Sequence, residues 1–126
     1  MKSYTDLEQS KKLAKILPIE SADMTWEQVI NSLEESFTWK PMIGSNSAIK
    51  YNLFSYRNGY ILPCWSLSAL LNVIPEEVSL VGSSKQSYWY CECVDSNVKS
   101  YSGDSADNPI DACYNLILKL NKLRIL

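Results

Sequence analysis

Two kinds of side chain in this 126-residue chain are equipped for chemistry, its thiols and its carboxylates. The thiols are Cys64, Cys91, Cys93 and Cys113. A cysteine attacks or ligates as the thiolate, which needs an accessible sulfur and an easily lost proton. Cys91-x-Cys93 has the wrong spacing for the C-x-x-C hook of a zinc ribbon. In a strand, positions i and i+2 point the same way, so both thiols share a face with Trp89, and that face reads as the buried one. Cys113 falls on the apolar stripe of a helix. Cys64, next to Trp65, is the one thiol whose setting leaves reactivity open. Among the carboxylates, Glu92 stands out because it lies inside an aromatic strand on the Tyr88/Tyr90 side. Glu34-Glu35 and Glu76-Glu77 read as helix-end or solvated charges. Asp95, Asp104, Asp107 and Asp111 lack the ordered alternation of a calcium loop. Asp95 fits a turn, and Asp107 and Asp111 fit a helix start.

What is missing narrows the chemistry further. The chain has no histidine, which removes imidazole acid–base catalysis, Ser-His-Asp and Cys-His pairs, and the usual zinc and iron sites. The four glycines, at 44, 59, 82 and 103, are isolated from one another. Val81-Gly82-Ser83-Ser84-Lys85 lacks the spacing of a phosphate loop. The expectation is a non-enzymatic protein without cofactor or metal. Lys and Arg total 12 against 14 acids, for a net charge of −2, whereas a nucleic-acid binder carries a basic excess or stripe. The clusters Lys11, Lys12, Lys15 and Lys119, Lys122, Arg124 sit late in expected helices, where they complement the dipole. The N-terminal residues lead into a charged stretch rather than an apolar signal core. No run approaches the length of a membrane span. The expected setting is cytoplasmic, with reduced thiols and no nucleic-acid or membrane partner.

Aromatic residues are abundant, with Trp26, Trp39, Trp65, Trp89 and eight tyrosines. Tyr88 and Tyr90, with Tyr101 as a further member, suggest a ladder on the sheet face opposite Trp89. Uncovered, such a face is of the kind found at interfaces. Covered by the 38–48 loop or by the second helix, it is core. Arg57 and Trp65 join Tyr88, Tyr90, Glu92 and Tyr101 as candidate binding residues, since arginine and aromatic rings can stack on a base.

These residues need elements to position them. Thr5-Asp6-Leu7-Glu8 has capping-box form, with Thr5 as N-cap of a helix that Pro18 ends. Thr25-Trp26-Glu27-Gln28 repeats the form, and Trp26, Val29, Ile30, Leu33 and Phe37 follow at helical spacing. Residues 41–48 read as a loop. Residues 49–56 read as a strand, turned by Asn58-Gly59 in a type I′ hairpin into Tyr60-Ile61-Leu62, with Pro63 either limiting that strand to an edge or ending it. Ser66 caps a short helix, Trp65 is placed to staple onto Leu70, and Pro75 closes it. Strands follow at Val78–Val81 and Ser87–Val94, then a turn at Asp95-Ser96-Asn97 and a strand at Val98–Ser102. Asn108 caps and Pro109 opens a last helix running to about Leu123, with Ile110, Cys113, Leu116, Ile117 and Leu120 on its core stripe. The expectation is one α+β domain over residues 1–126. It is a two-layer sandwich with a mainly antiparallel sheet of about four to five strands and amphipathic helices on one face.

Four segments carry a resemblance. Gln9-Ser10-Lys11-Lys12-Leu13-Ala14, Ser21-Ala22-Asp23-Met24, the run from Pro63 to Leu71 (PCWSLSALL) and Asp107-Asn108-Pro109-Ile110-Asp111-Ala112 resemble, in that order, short uncharacterised proteins. Those are encoded by phages, prophages and mobile elements of gut Bacteroides-type bacteria. The resemblance implies a bacterial or phage-encoded cytosolic accessory protein and transfers no catalytic or binding residue. Two functions are expected from different classes. The first is a protein-interaction module that binds a protein partner or a second copy of itself. The alternative is a small-ligand binder of nucleotide type using an aromatic pocket.

Overall fold

A computed structural model describes residues 1–44, 53–75 and 77–126. They form an α+β chain of two compact units, Asp6–Trp65 and Met1–Thr5 with Ser66–Leu126. Where one sheet of four to five strands was expected, the described residues make two antiparallel sheets of three strands, one in each unit. No helix among them is long and apolar enough to cross a membrane.

The unit Asp6–Trp65 opens with α1, Leu7–Leu13. Its N-cap is Asp6 rather than Thr5. The Asp6 carboxylate accepts the Gln9 N–H at 2.8 Å, and the Gln9 side chain accepts the Asp6 N–H at 3.1 Å. Both T-x-x-E and D-x-x-Q fit the capping-box pattern here, and the charged carboxylate at the positive helix end prevails. The helix stops at Leu13, short of Pro18, and a 3-10 turn follows at Ile19–Ser21.

The expected second helix is instead a hairpin of β1, Met24–Asn31, and β2, Ser36–Ile43. The Trp26-to-Phe37 spacing does match a helical stripe. The same stretch, however, is rich in Thr, Trp, Val, Ile and Phe, whose branched or aromatic side chains fit a pleated surface better. Asn31 turns the chain by accepting the Leu33 N–H at 3.2 Å, and Glu35 takes a positive φ of 50°. Residues 49–52 of the expected next strand lie outside the described residues. The rest of that segment is α2, Leu53–Arg57. Gly59 does take a positive φ, 77°, but it ends a helix rather than turning a hairpin. The Gly59 N–H donates to Tyr56 and the Tyr60 N–H to Ser55, the two reverse bonds of a Schellman motif. β3, Ile61–Cys64, then pairs with β1, giving the order β2-β1-β3. Both α1 and α2 pack against β3.

In the second unit Ser66 caps α3, Leu67–Val73, by accepting the Ala69 N–H at 3.3 Å. β4 (Glu77–Ser83), β5 (Tyr88–Val94) and the short β6 (Ser100–Ser102) form a sheet in the order β4-β5-β6. α4, Pro109–Lys122, starts as its sequence predicts, with the Asn108 side chain accepting the Asp111 N–H at 2.9 Å and Pro109 in the first turn. Asp111 also holds Lys2 in an ion pair at 2.9 Å, which fastens the N-terminal residues to this helix. Ile110, Cys113, Leu116, Ile117 and Leu120 are fully buried as α4 packs on all three strands. Across the sheet, Gly82 pairs with Trp89, and a Cβ at Gly82 would stand 2.5 Å from the indole ring. The glycine is the seat on which Trp89 lies.

Candidate interaction surface

Tyr88, Tyr90 and Glu92 alternate along one face of β5, and their register partners Ser83, Val81 and Ser79 on β4 share it. Tyr88 and Tyr90 meet edge to face, with ring centroids 6.3 Å apart. The opposite face carries Cys91 and Cys93, which are buried, and it is the face α4 covers. Tyr88 is 51% exposed, whereas Tyr90 and Glu92 are half-buried. The face is short of apolar bulk, because serines alternate along β4 and flank Tyr101 on β6.

Tyr101 is not part of that ladder. It pairs with Cys93 and so belongs to the other face. There its hydroxyl donates to Asp95 Oδ2 at 3.2 Å, and the Lys99 ammonium lies 5.4 Å from its ring centre. The Asp95 carboxyl is held below its ordinary range, chiefly by the Lys99 backbone N–H, with the Asn97 N–H and the Tyr101 hydroxyl adding to the effect. This cluster locks the β5–β6 turn. Arg57 and Trp65 belong to the other unit. Arg57 is exposed at the end of α2, while Trp65 is fully buried with its indole N–H donating to Ser21 Oγ at 2.9 Å. A side chain so enclosed has no surface with which to bind a ligand.

All four cysteines are buried, Cys64 completely so. A hydrogen bond to Cys113, reinforced by burial, pushes the Cys91 thiol far above its ordinary range and keeps it protonated. No cluster of three His, Cys, Asp or Glu side chains among the described residues is arranged to hold a metal ion.

A more apolar surface lies on the sheet of the first unit. The Gln28 N–H donates to Tyr60, so β1 residues of even number turn their backbone groups toward β3 and those of odd number toward β2. Side chains Met24, Trp26, Gln28 and Ile30 then share a face with their β2 partners Ile43, Pro41, Trp39 and Phe37. Neither strand places a charged residue on this face. Glu27 and Lys40 point the other way. Leu62, opposite Trp26 on β3, shares the face and is met there by α1 and α2. Toward the hairpin tip the face is bare, with Ile30 69% and Phe37 63% exposed as a direct cross-strand pair. Gln28, Ile30, Phe37, Ser55 and Tyr60 line a shallow cleft of about 380 Å³ there.

The two outer strands of this sheet are closed to further pairing in a specific way. β2 positions 37, 39, 41 and 43 turn their backbone groups away from β1, and one of them is Pro41, which has no N–H to offer. On β3 the outward positions are 61 and 63, and Pro63 occupies the second. A proline on each edge blocks strand addition, which leaves the face as the surface available for contact. Sequence reasoning misses this face because its members come together only once the hairpin is recognised. The one available signal was the Thr-Trp pairs at 25–26 and 38–39. No family model, curated protein or solved structure matches the chain.

Proposed function

We propose that this chain is a non-enzymatic protein-interaction module that self-associates through the open apolar face of β1 and β2. On this reading it works in the cytoplasm as an accessory protein of the phage and mobile-element kind that its sequence resembles. The observation that carries the reading is the Ile30–Phe37 pair, large and apolar, left in water beside Tyr60, with Ile43 exposed at the far end of the same face. Taking about 200 Å² for each large side chain, the exposed parts of these four amount to on the order of 500 Å². That is the apolar fraction expected within the roughly 800 Å² that each partner contributes to a standard interface.

Two further features favour a second copy as the occupant. The β1–β2 face carries no charge, so a copy of itself meets no like-charge repulsion. Its prolines turn association away from open-ended strand addition and toward face-to-face packing, which a twofold axis closes. The Tyr88/Tyr90 face is the weaker candidate, since its neighbours across β4 are mostly serines.

Light scattering over a concentration series tests the reading. The wild-type mass should rise from monomer to dimer, and the Ile30→Ser/Phe37→Ser double variant should stay monomeric with its far-UV spectrum unchanged. A wild-type protein that remains monomeric at millimolar concentration overturns it.

A further inference from the structure

A second cleft in the first unit, of about 440 Å³, is lined by Lys11, Ala14, Lys15, Tyr56, Arg57 and Leu62. Among the described residues that line it three are cations and none is an acid, in a chain whose net charge is −2. Lys11 lies in the last turn of α1 and Lys15 two residues past its end, and Arg57 faces them from the end of α2. The Lys11 ammonium lies 3.7 Å from Glu8, but Glu8 is almost fully exposed and holds it only as a loose surface pair. The end of a helix is ordinarily hostile to an anion because its carbonyls point outward. Most of those of α1 are occupied here. Ser10, Lys12 and Leu13 carbonyls accept the N–H groups of Ala14, Lys15, Ile16 and Leu17. The three cations therefore set the sign of the site. Tyr56 and Leu62 add an aromatic ring and an apolar wall beside them, and the volume falls in the range of small-molecule sites.

We infer that this cleft binds a small phosphorylated aromatic ligand of the mononucleotide class. The phosphate lies among Lys11, Lys15 and Arg57, and the ring lies against Tyr56 and Leu62. Arginine supplies the forked donor pair that a phosphate takes up, and the lysines supply point charges. The site lies at β3 and shares no lining residue with the Ile30–Phe37 cleft, so its test is independent of the one for self-association.

Calorimetric titration with adenosine monophosphate, inorganic phosphate and adenosine tests it on the full chain. The monophosphate should bind more tightly than either inorganic phosphate or adenosine. Lys15→Ala/Arg57→Ala should weaken it about tenfold or more, and Tyr56→Ala should weaken it while sparing inorganic phosphate. Lys85→Ala, on an exposed turn of the other unit, should leave it unchanged. All of these positions except half-buried Tyr56 are exposed, and a circular dichroism melt checks that each variant folds. No heat with any phosphate at millimolar concentration overturns the inference. So does binding that Lys15→Ala/Arg57→Ala leaves intact. Binding confined to oligonucleotides, with a steep loss in salt, overturns it in favour of non-specific polyanion attraction.

Discussion

Replacing Trp65 by Phe tests whether this residue is a core anchor or a ligand contact. Trp65 has no exposed surface, and its indole N–H donates to Ser21 Oγ at 2.9 Å. The Ser21 hydroxyl is itself spent on the Pro18 carbonyl at 2.6 Å, so it is oriented to accept. Phenylalanine loses this hydrogen bond, worth about 1 kcal/mol. It also loses roughly 40 Å² of buried ring, about another 1 kcal/mol, and leaves a partly collapsed cavity. The expected loss is about 2–3 kcal/mol, read by urea unfolding followed by far-UV circular dichroism. Ser21→Ala should cost about 1–2 kcal/mol, because it strands the indole N–H. The double variant should cost less than the sum of the two, with a coupling of about 1 kcal/mol. A Trp65→Phe protein within about 0.5 kcal/mol of wild type, together with zero coupling to Ser21, would refute the anchoring role.

Gly82→Ala places a methyl group 2.5 Å from the Trp89 ring and should cost about 1–3 kcal/mol by overpacking, with the loss checked by thermal unfolding. Asn108→Ala removes the cap of α4 and should cost about 1–2 kcal/mol, measured by urea unfolding. Asp95 is held ionised by the Lys99 and Asn97 N–H groups, so its contribution is complete above the ordinary carboxylate range and is lost as pH falls through its lowered value. Protection of the Asn97 and Lys99 amides, their exchange measured against the intrinsic rate at each pH, should therefore fall in acid, and Asp95→Asn should remove that pH dependence of protection. Pro41→Thr restores an outward N–H to β2 and should promote edge-to-edge aggregation, seen as growing light scattering that Pro41 suppresses in the wild type.

The sequence reading succeeds where a local rule has a single solution. Asn108-Pro109 and Ser66 are caps with one geometric outcome, and α4 and α3 start where they imply. Pro63 allows either an edge strand or a strand end, and β3 is an edge strand that runs through it to Cys64. It fails where two periodicities fit the same residues. Trp26, Val29, Ile30 and Phe37 satisfy a helical stripe, but β1 and β2 each find a partner, and pairing overrides the stripe. Asn58-Gly59 shows the same limit, since a positive φ at glycine serves a Schellman cap as readily as a hairpin.

The candidate site follows the same division. Strand alternation alone puts Tyr88, Tyr90 and Glu92 together. Tyr101 depends on register across the β5–β6 turn, which alternation does not supply, and a shift of one residue reverses its face. Trp65 reads as an aromatic beside a helix start whether it is a contact or a core residue. Only tertiary packing distinguishes the two. The Ile30–Phe37 face needs both the hairpin and its register, so no local pattern reveals it.

The most direct test of the central claim is an isotope-filtered nuclear Overhauser experiment on a mixture of labelled and unlabelled protein. Cross-peaks between the Ile30 methyls of one copy and the Phe37 ring of another are predicted, growing with concentration. Their absence in a sample shown by scattering to be dimeric would contradict the account, because the copies would then meet through some other surface.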